Sequence, residues 1–239
     1  MTNRKRKGRS GGGSPEEPAD GADAGADNAS DVENEESTTD EGREGGAPEA
    51  RPGADPVAEA RRRAVEEPGN VEMRLDLARL YRERGDHGLA LEQLETVRPE
   101  APEDPDLLLE LGITLAALSR LVEAERDLRR AQKLAPQRAD INSHLGVVLF
   151  KRGQYRQSEV ALRKALDLDD RNGEAYFYRG EALNQLGRVD DALAMLERAI
   201  QYQPSNAKAY YTMGILYDRK HLSREATAMY RRARELGGA

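Results

Sequence analysis

Three observations predict an all-α solenoid of helix–turn–helix units behind a disordered N-terminal tail. Small residues recur with a period of 34 from Ala78 to Gly214. Each period carries a turn residue, usually glycine, in its middle, and a proline near its end in most cases. The composition also breaks at Pro56, before which Val32 is the one large aliphatic residue after Met1.

The tail comes first. Residues 1–55 hold seven basic and fourteen acidic residues, a difference of −7, which equals the formal net charge of the whole chain. The remainder is therefore close to neutral. A segment of Gly, Ala, Asp, Glu, Ser, Asn and Pro cannot bury enough apolar surface to offset its ordering entropy, so residues 1–54 are expected to be disordered. Within it a basic start, "NRKRKGR", precedes a long acidic run. The basic start offers a nuclear address or a nucleic-acid contact, or is simply a solvated end.

Residues 55–70 follow as a lead-in helix and linker. Asp55 before Pro56 reads as an N-cap with proline at the first helical position, opening "VAEARRRAVEE". From residue 71 the repeat takes over. With a period of 34, Ala78, Gly112, Gly146, Gly180 and Gly214 align. Twelve residues on stand Ala90, Ala124, Ser158, Ala192 and Ala226, all small. Four further are Leu94, Leu128, Leu162, Leu196 and Tyr230, all large, and then come Val97, Ala131, Ala165, Ala199 and Ala233. Pro102, Pro136 and Pro204 close three units, with Asp170 in place of a fourth proline. Gly85, Gly153 and Gly187 mark the mid-unit turn, where the other two units have Ser119 and His221.

Physical chemistry explains these types. Two antiparallel helices approach closely where small residues cross, and large residues fill the space beside the crossing. A glycine takes the left-handed conformation that ends the first helix, and a proline stops the second.

The pattern resembles the tetratricopeptide repeat family, in five units at 71–104, 105–138, 139–172, 173–206 and 207–239. The resemblance covers about 169 of 239 residues and implies a right-handed solenoid. Two positions depart from it: Arg179 and Arg74 stand where apolar residues are usual. The site of Leu166 and Ile200 becomes Arg234 in the last unit, which suits the polar outer end that a solenoid needs.

Catalytic patterns are missing. "GGGS" lacks the lysine and the flanking elements of a phosphate-binding loop, and no His-Glu-x-x-His occurs. His87, His144 and His221 lie in different units without ligand spacing, and Asp169-Asp170 and Asp190-Asp191 read as helix-end charges. The chain has no cysteine, so disulfides and thiolate sites are excluded. The apolar run from Leu107 to Leu118 is far short of the roughly 20 residues of a membrane span. A non-enzymatic cytoplasmic protein without cofactor or metal is the expectation, its oligomeric state open.

The resemblance further implies that first helices line a concave groove. Carried onto this sequence, the groove shows Leu109, Ile113, Val147, Phe150, Phe177, Tyr178, Tyr211 and Ile215. Asp106, Glu110, His144, Glu174, Glu181 and Asn184 lie among them. Such a surface suits an amphipathic protein or peptide segment bearing basic residues. The family's chaperone-binding members clamp a terminal carboxylate with lysine at the fifth position of a unit. This chain has Leu75, Leu109, Ser143, Phe177 and Tyr211 there, so that clamp is absent. The expected function is an adaptor or assembly factor holding a partner segment. The alternative is a nucleic-acid- or polyanion-associated protein using the basic start and an outer patch of Arg126, Arg129, Arg130, Lys133, Arg156, Arg163 and Lys164. Glu123, Glu125, Asp127 and Asp167 are the acids expected to neutralise that patch.

Overall fold

The computed structural model describes residues 55–237; the expectations for residues 1–54 fall outside them. Among the described residues the secondary structure is eleven α-helices without a strand. A lead-in helix α1 (Pro56–Glu66) precedes five helix pairs. These are α2 (Val71–Glu83) with α3 (His87–Val97), α4 (Pro105–Ala117) with α5 (Leu121–Leu134), and α6 (Ala139–Lys151) with α7 (Tyr155–Leu168). Then come α8 (Gly173–Gln185) with α9 (Val189–Tyr202), and α10 (Ala207–Arg219) with α11 (Ser223–Glu235). Each helix packs on its neighbours in sequence, and α1 packs on α2.

The two helices of a pair start differently. First helices mostly begin with a side-chain cap: Asn70, Asp104, Asn172 and Asn206 accept from backbone N–H groups of their own first turns. Asp55 does the same for α1, accepting from Val57 N at 3.1 Å with Pro56 at the first position. In α6 the N-cap position is Arg138, and Asp140 accepts from Ile141 N at 2.9 Å instead. None of the second helices has a side-chain cap bond.

Those second helices are launched by the turn before them. In all five units the first helix ends in the same pair of backbone bonds. In the first unit, Gly85 N donates to Arg82 O at 3.0 Å and Asp86 N to Tyr81 O at 2.9 Å. This double bond needs a left-handed residue between the helices. Gly85, Gly153 and Gly187 supply it, with φ between 73° and 84°. Ser119 and His221 adopt the same conformation at φ 60° and 59°, at a cost of roughly 1–2 kcal/mol each that glycine avoids. The turn is a demand of the packing, and two side chains submit to it.

The aligned small and large residues meet directly. A Cβ on Gly112 would lie 2.4 Å from Leu128 Cγ, on Gly146 2.5 Å from Leu162 Cγ, and on Gly180 2.8 Å from Leu196 Cγ. On Gly214 it would meet the Tyr230 ring at 2.5 Å. The large residue thus sits on the missing side chain rather than beside it, which sharpens the expectation from sequence. At the one polar member of the small row, Ser158 Oγ donates to Gly146 O at 2.8 Å and so is satisfied while buried.

The apolar interior divides into two clusters. One runs from Val57 to Ala161, and the second from Leu162 to Leu216. Close to the division lies Arg179, the departure noted above. Its guanidinium donates to Glu159 Oε1 from Nε at 3.2 Å and Nη2 at 3.0 Å, with side chains 19% and 9% exposed. The other departure, Arg74, is satisfied by Gln93 Oε1 and Pro68 O. At the far end α11 buries only Ala226 and Ala233 fully, and Arg234 is exposed.

Candidate functional site

A surface is built here by the order of contacts. The first helices α2, α4, α6, α8 and α10 touch one another in sequence, whereas among the described residues no second helix packs against another second helix. The first helices therefore lie on the shorter, inner side of the curve. Residues three and four apart on each of them share a face, so α8 presents Glu174, Phe177, Tyr178 and Glu181 together.

The expected groove residues occupy different depths. Leu109, Val147 and Phe177 are buried, and Ile113, His144, Phe150, Tyr178, Glu181 and Ile215 are half-buried. Tyr211 is 49% exposed. Phe177 belongs to the second core cluster and Tyr211 leans on Tyr230 at 5.6 Å between ring centroids. The two aromatics thus play different structural parts. Half-buried rings form a connected run instead: Tyr178 meets Phe150 at 5.5 Å and Phe150 meets Tyr155 at 5.6 Å, with the buried Phe177 in an edge contact with Tyr178 at 5.1 Å. Tyr155, at the start of a second helix, had no signal in the spacing of the first helices.

The acids expected along the groove separate into two kinds. Glu110 is buried at 6% exposure and is held by Arg79 Nε at 2.8 Å and Arg82 Nε at 3.5 Å, both from the preceding unit. Asp106 accepts from Arg138 Nη1 at 2.9 Å, and that arginine also binds Asp140. These acids are neutralised from within. Further along, Glu174 is exposed and makes no ion pair among the described residues, and Glu181 Oε1 is buried without a hydrogen-bond donor among them. Asn184 accepts from Arg219 Nη1 at 2.7 Å.

Burial moves three protonation equilibria in this stretch. Burial pushes the His144 imidazole below its ordinary pKa, against the pull of Glu174 and Asp140. Burial pushes the Glu181 carboxyl up, with the Thr212 hydroxyl pulling the other way. Tyr178 is raised by burial first and then by the charges of Glu174 and Glu181. Thr212 occupies the same place in its unit as Tyr178, one period later, and would have emerged from the sequence had that row been aligned.

The outer patch is partly spent. Arg126 binds Asp127 at 3.0 Å, Arg129 binds Glu125 at 2.8 Å and Gln157 at 2.6 Å, and Arg130 donates to Pro102 O at 2.9 Å. Glu123 pairs with Arg120 rather than with the patch. Lys133, Arg156, Arg163 and Lys164 form no ion pair among the described residues. Among those residues there is also no group of His, Asp and Glu placed to hold a metal ion, and no helix long and apolar enough to cross a membrane.

A family model described as tetratricopeptide repeat matches residues 75–139, 144–207 and 185–238. The chain belongs to the tetratricopeptide repeat family. Solved structures resemble this tetratricopeptide array. A crystal structure of MamA is 25% identical, with a TM-score of 0.60, over 67% of this chain and 94% of that one. MamA from Desulfovibrio magneticus, from residue 41 to its end, is 22% identical over 70% and 94% of the two chains, with a TM-score of 0.62. YrrB, described as a TPR protein with an unusual peptide-binding site, is 21% identical over 75% of this chain and 93% of its own, with a TM-score of 0.60. The tetratricopeptide chain has no match among curated proteins.

Proposed function

We propose that this tetratricopeptide protein is a non-enzymatic adaptor or assembly factor that holds an amphipathic, basic segment of a partner protein in its concave groove. One observation carries the reading. Along α6 and α8 the half-buried rings of Phe150 and Tyr178 lie beside Glu174 and Glu181, acids that pair with no cation among the described residues. Rings held in place by neighbours supply contact area at little entropic cost, and unneutralised acids steer a basic ligand. The peptide-binding site ascribed to YrrB lends support by analogy of fold alone.

The test is site-specific photo-crosslinking in the full chain. A photoreactive phenylalanine at Tyr178 should capture a partner segment, and the same group at Arg163 on the outer face should not. Capture from Arg163 alone, abolished steeply by salt, would put the polyanion reading in its place, since phosphate-driven binding weakens with salt. The unpaired Lys133, Arg156, Arg163 and Lys164 are what favour that second reading.

A further inference from the structure

The described part of the chain is consistent in how it treats buried carboxylates. Glu110, Glu125, Asp127 and Glu159 are the buried acids, and each is paired with an arginine. A buried charge without a partner is costly, so this regularity is expected. Glu181 breaks it. Its Oε1 is buried and accepts no hydrogen bond, and among the described residues the carboxyl meets the neutral Thr212 hydroxyl but no cation.

The fold does not ask for an acid at this place. Two periods before, one before and one after, the equivalent residues are Ile113, Val147 and Ile215, which sit on the same inner face and need no partner. In the first unit the position is Arg79, which is engaged by Glu110. An isoleucine at 181 would therefore satisfy the packing at least as well. A buried carboxylate oxygen that no internal donor or cation satisfies is explained by an external one.

We propose that Glu181, with the Tyr178 ring one helical turn before it, is a receptor for a single lysine or arginine side chain of the partner segment. This rests on the groove reading above and adds the group that selects the ligand. The Tyr178 ring is half-buried and held by contacts to Phe177 and Phe150, so a cation that reaches it meets a ring of fixed orientation. Glu174, on the same face of α8, adds negative charge at the rim. A cation seated there completes the hydrogen bonding of Oε1 and offsets the burial that the carboxylate now bears uncompensated.

The probe is a phage-displayed library of random 12-residue peptides panned on the full chain, followed by synthesis of the selected peptides. Each is remade with lysine replaced by norleucine or arginine by citrulline, and binding is read by fluorescence polarisation. The expected result is a selected lysine or arginine whose replacement weakens binding about tenfold or more, the scale of a charge-assisted pair. Glu181→Gln and Glu181→Ile should cause the same loss, and Arg163→Ala should not. Both Glu181 variants should melt at a higher temperature than the parent at pH 7. A carboxylate whose pKa is raised weakens the fold as pH climbs through its unfolded and then its folded value, so for Glu181→Gln the gain is full at pH 7 and gone near pH 4, below the ordinary carboxylate pKa. Peptides that are lost on Tyr178→Ala but indifferent to the neutral analogues would overturn the cation receptor and leave the groove reading standing. Cation dependence that survives Glu181→Gln overturns it equally, moving the contact to Glu174. If every selected peptide ignores Tyr178→Ala, both readings fall.

Discussion

The two ends of the array solve the same packing problem with different chemistry. From α1 to α6 the core is mainly aliphatic, with Leu77, Leu94, Leu107, Leu108, Leu111 and Leu128 almost wholly buried and Tyr81 as its buried aromatic ring. From α8 to α10 it takes in Tyr176, Phe177 and Met213, with Tyr176 stacked on Tyr202 at 5.8 Å. The first half locks its units together with buried ion pairs, Arg98 to Asp127 and Arg152 to Glu125. Among the described residues the second half leaves Glu174 and Glu181 without a cation on its inner face. The repeat thus fixes which positions are small and which are large, while the seams between units are free to be ionic or apolar. Between the last two units the cross-unit pair of Lys220 and Asp190 is exposed rather than buried, and it is in this half that Glu174 and Glu181 pair with no cation among the described residues.

The largest effect should come from the ionic half. Asp127 has no exposed surface and accepts from Arg98 Nη2 at 2.8 and 3.0 Å. Arg98→Ala should cost about 3 kcal/mol in chemical denaturation, the low end for breaking a buried pair because Arg126 still reaches Asp127. A loss below about 1 kcal/mol would mean that the first half is not held by its charges.

The glycine crossings compare the halves at constant chemistry. Alanine adds about 1 kcal/mol of helix propensity but forces a Cβ into its neighbour, at roughly 1–3 kcal/mol. The closer approach at Gly112 than at Gly180 predicts that Gly112→Ala is the more destabilising, with Gly180→Ala close to neutral. The first unit already has Ala78 at this position, so the crossing can widen. The opposite order of the two melting temperatures would break the correspondence between approach and cost.

The smallest net effect should come at the division between the clusters. One period after Glu159 and Arg179 stand Leu193 and Met213, both buried. Replacing the ion pair by this apolar pair, Glu159→Leu with Arg179→Met, should change stability by less than about 1 kcal/mol or raise it. Arg179→Met alone should cost about 3 kcal/mol by stranding Glu159. A double-mutant cycle measures the difference, and additive single effects would show that the two residues are not coupled.

Much of this was legible in one dimension. The rows of small and large residues, the capping Asp55 and the turn glycines follow from helix geometry and from the clash that any Cβ at Gly112 would meet. Local rules act over a few residues, and a period of 34 repeats them. Less legible was the state of each groove acid. Glu110 and Glu181 look alike in the sequence, yet one is bound by two arginines of the preceding unit and the other has none. Likewise Phe177 and Tyr178 are neighbours, but one is buried in the core and the other is half-buried against it.

The sequence by itself determined that five helix pairs would stack, because complementary volumes at fixed spacing admit no other arrangement that buries them. Only the tertiary structure decided which charges are left over. Pairing across units depends on how far each helix is rotated against the next, and that rotation is set by all the contacts of the seam together rather than by any one residue.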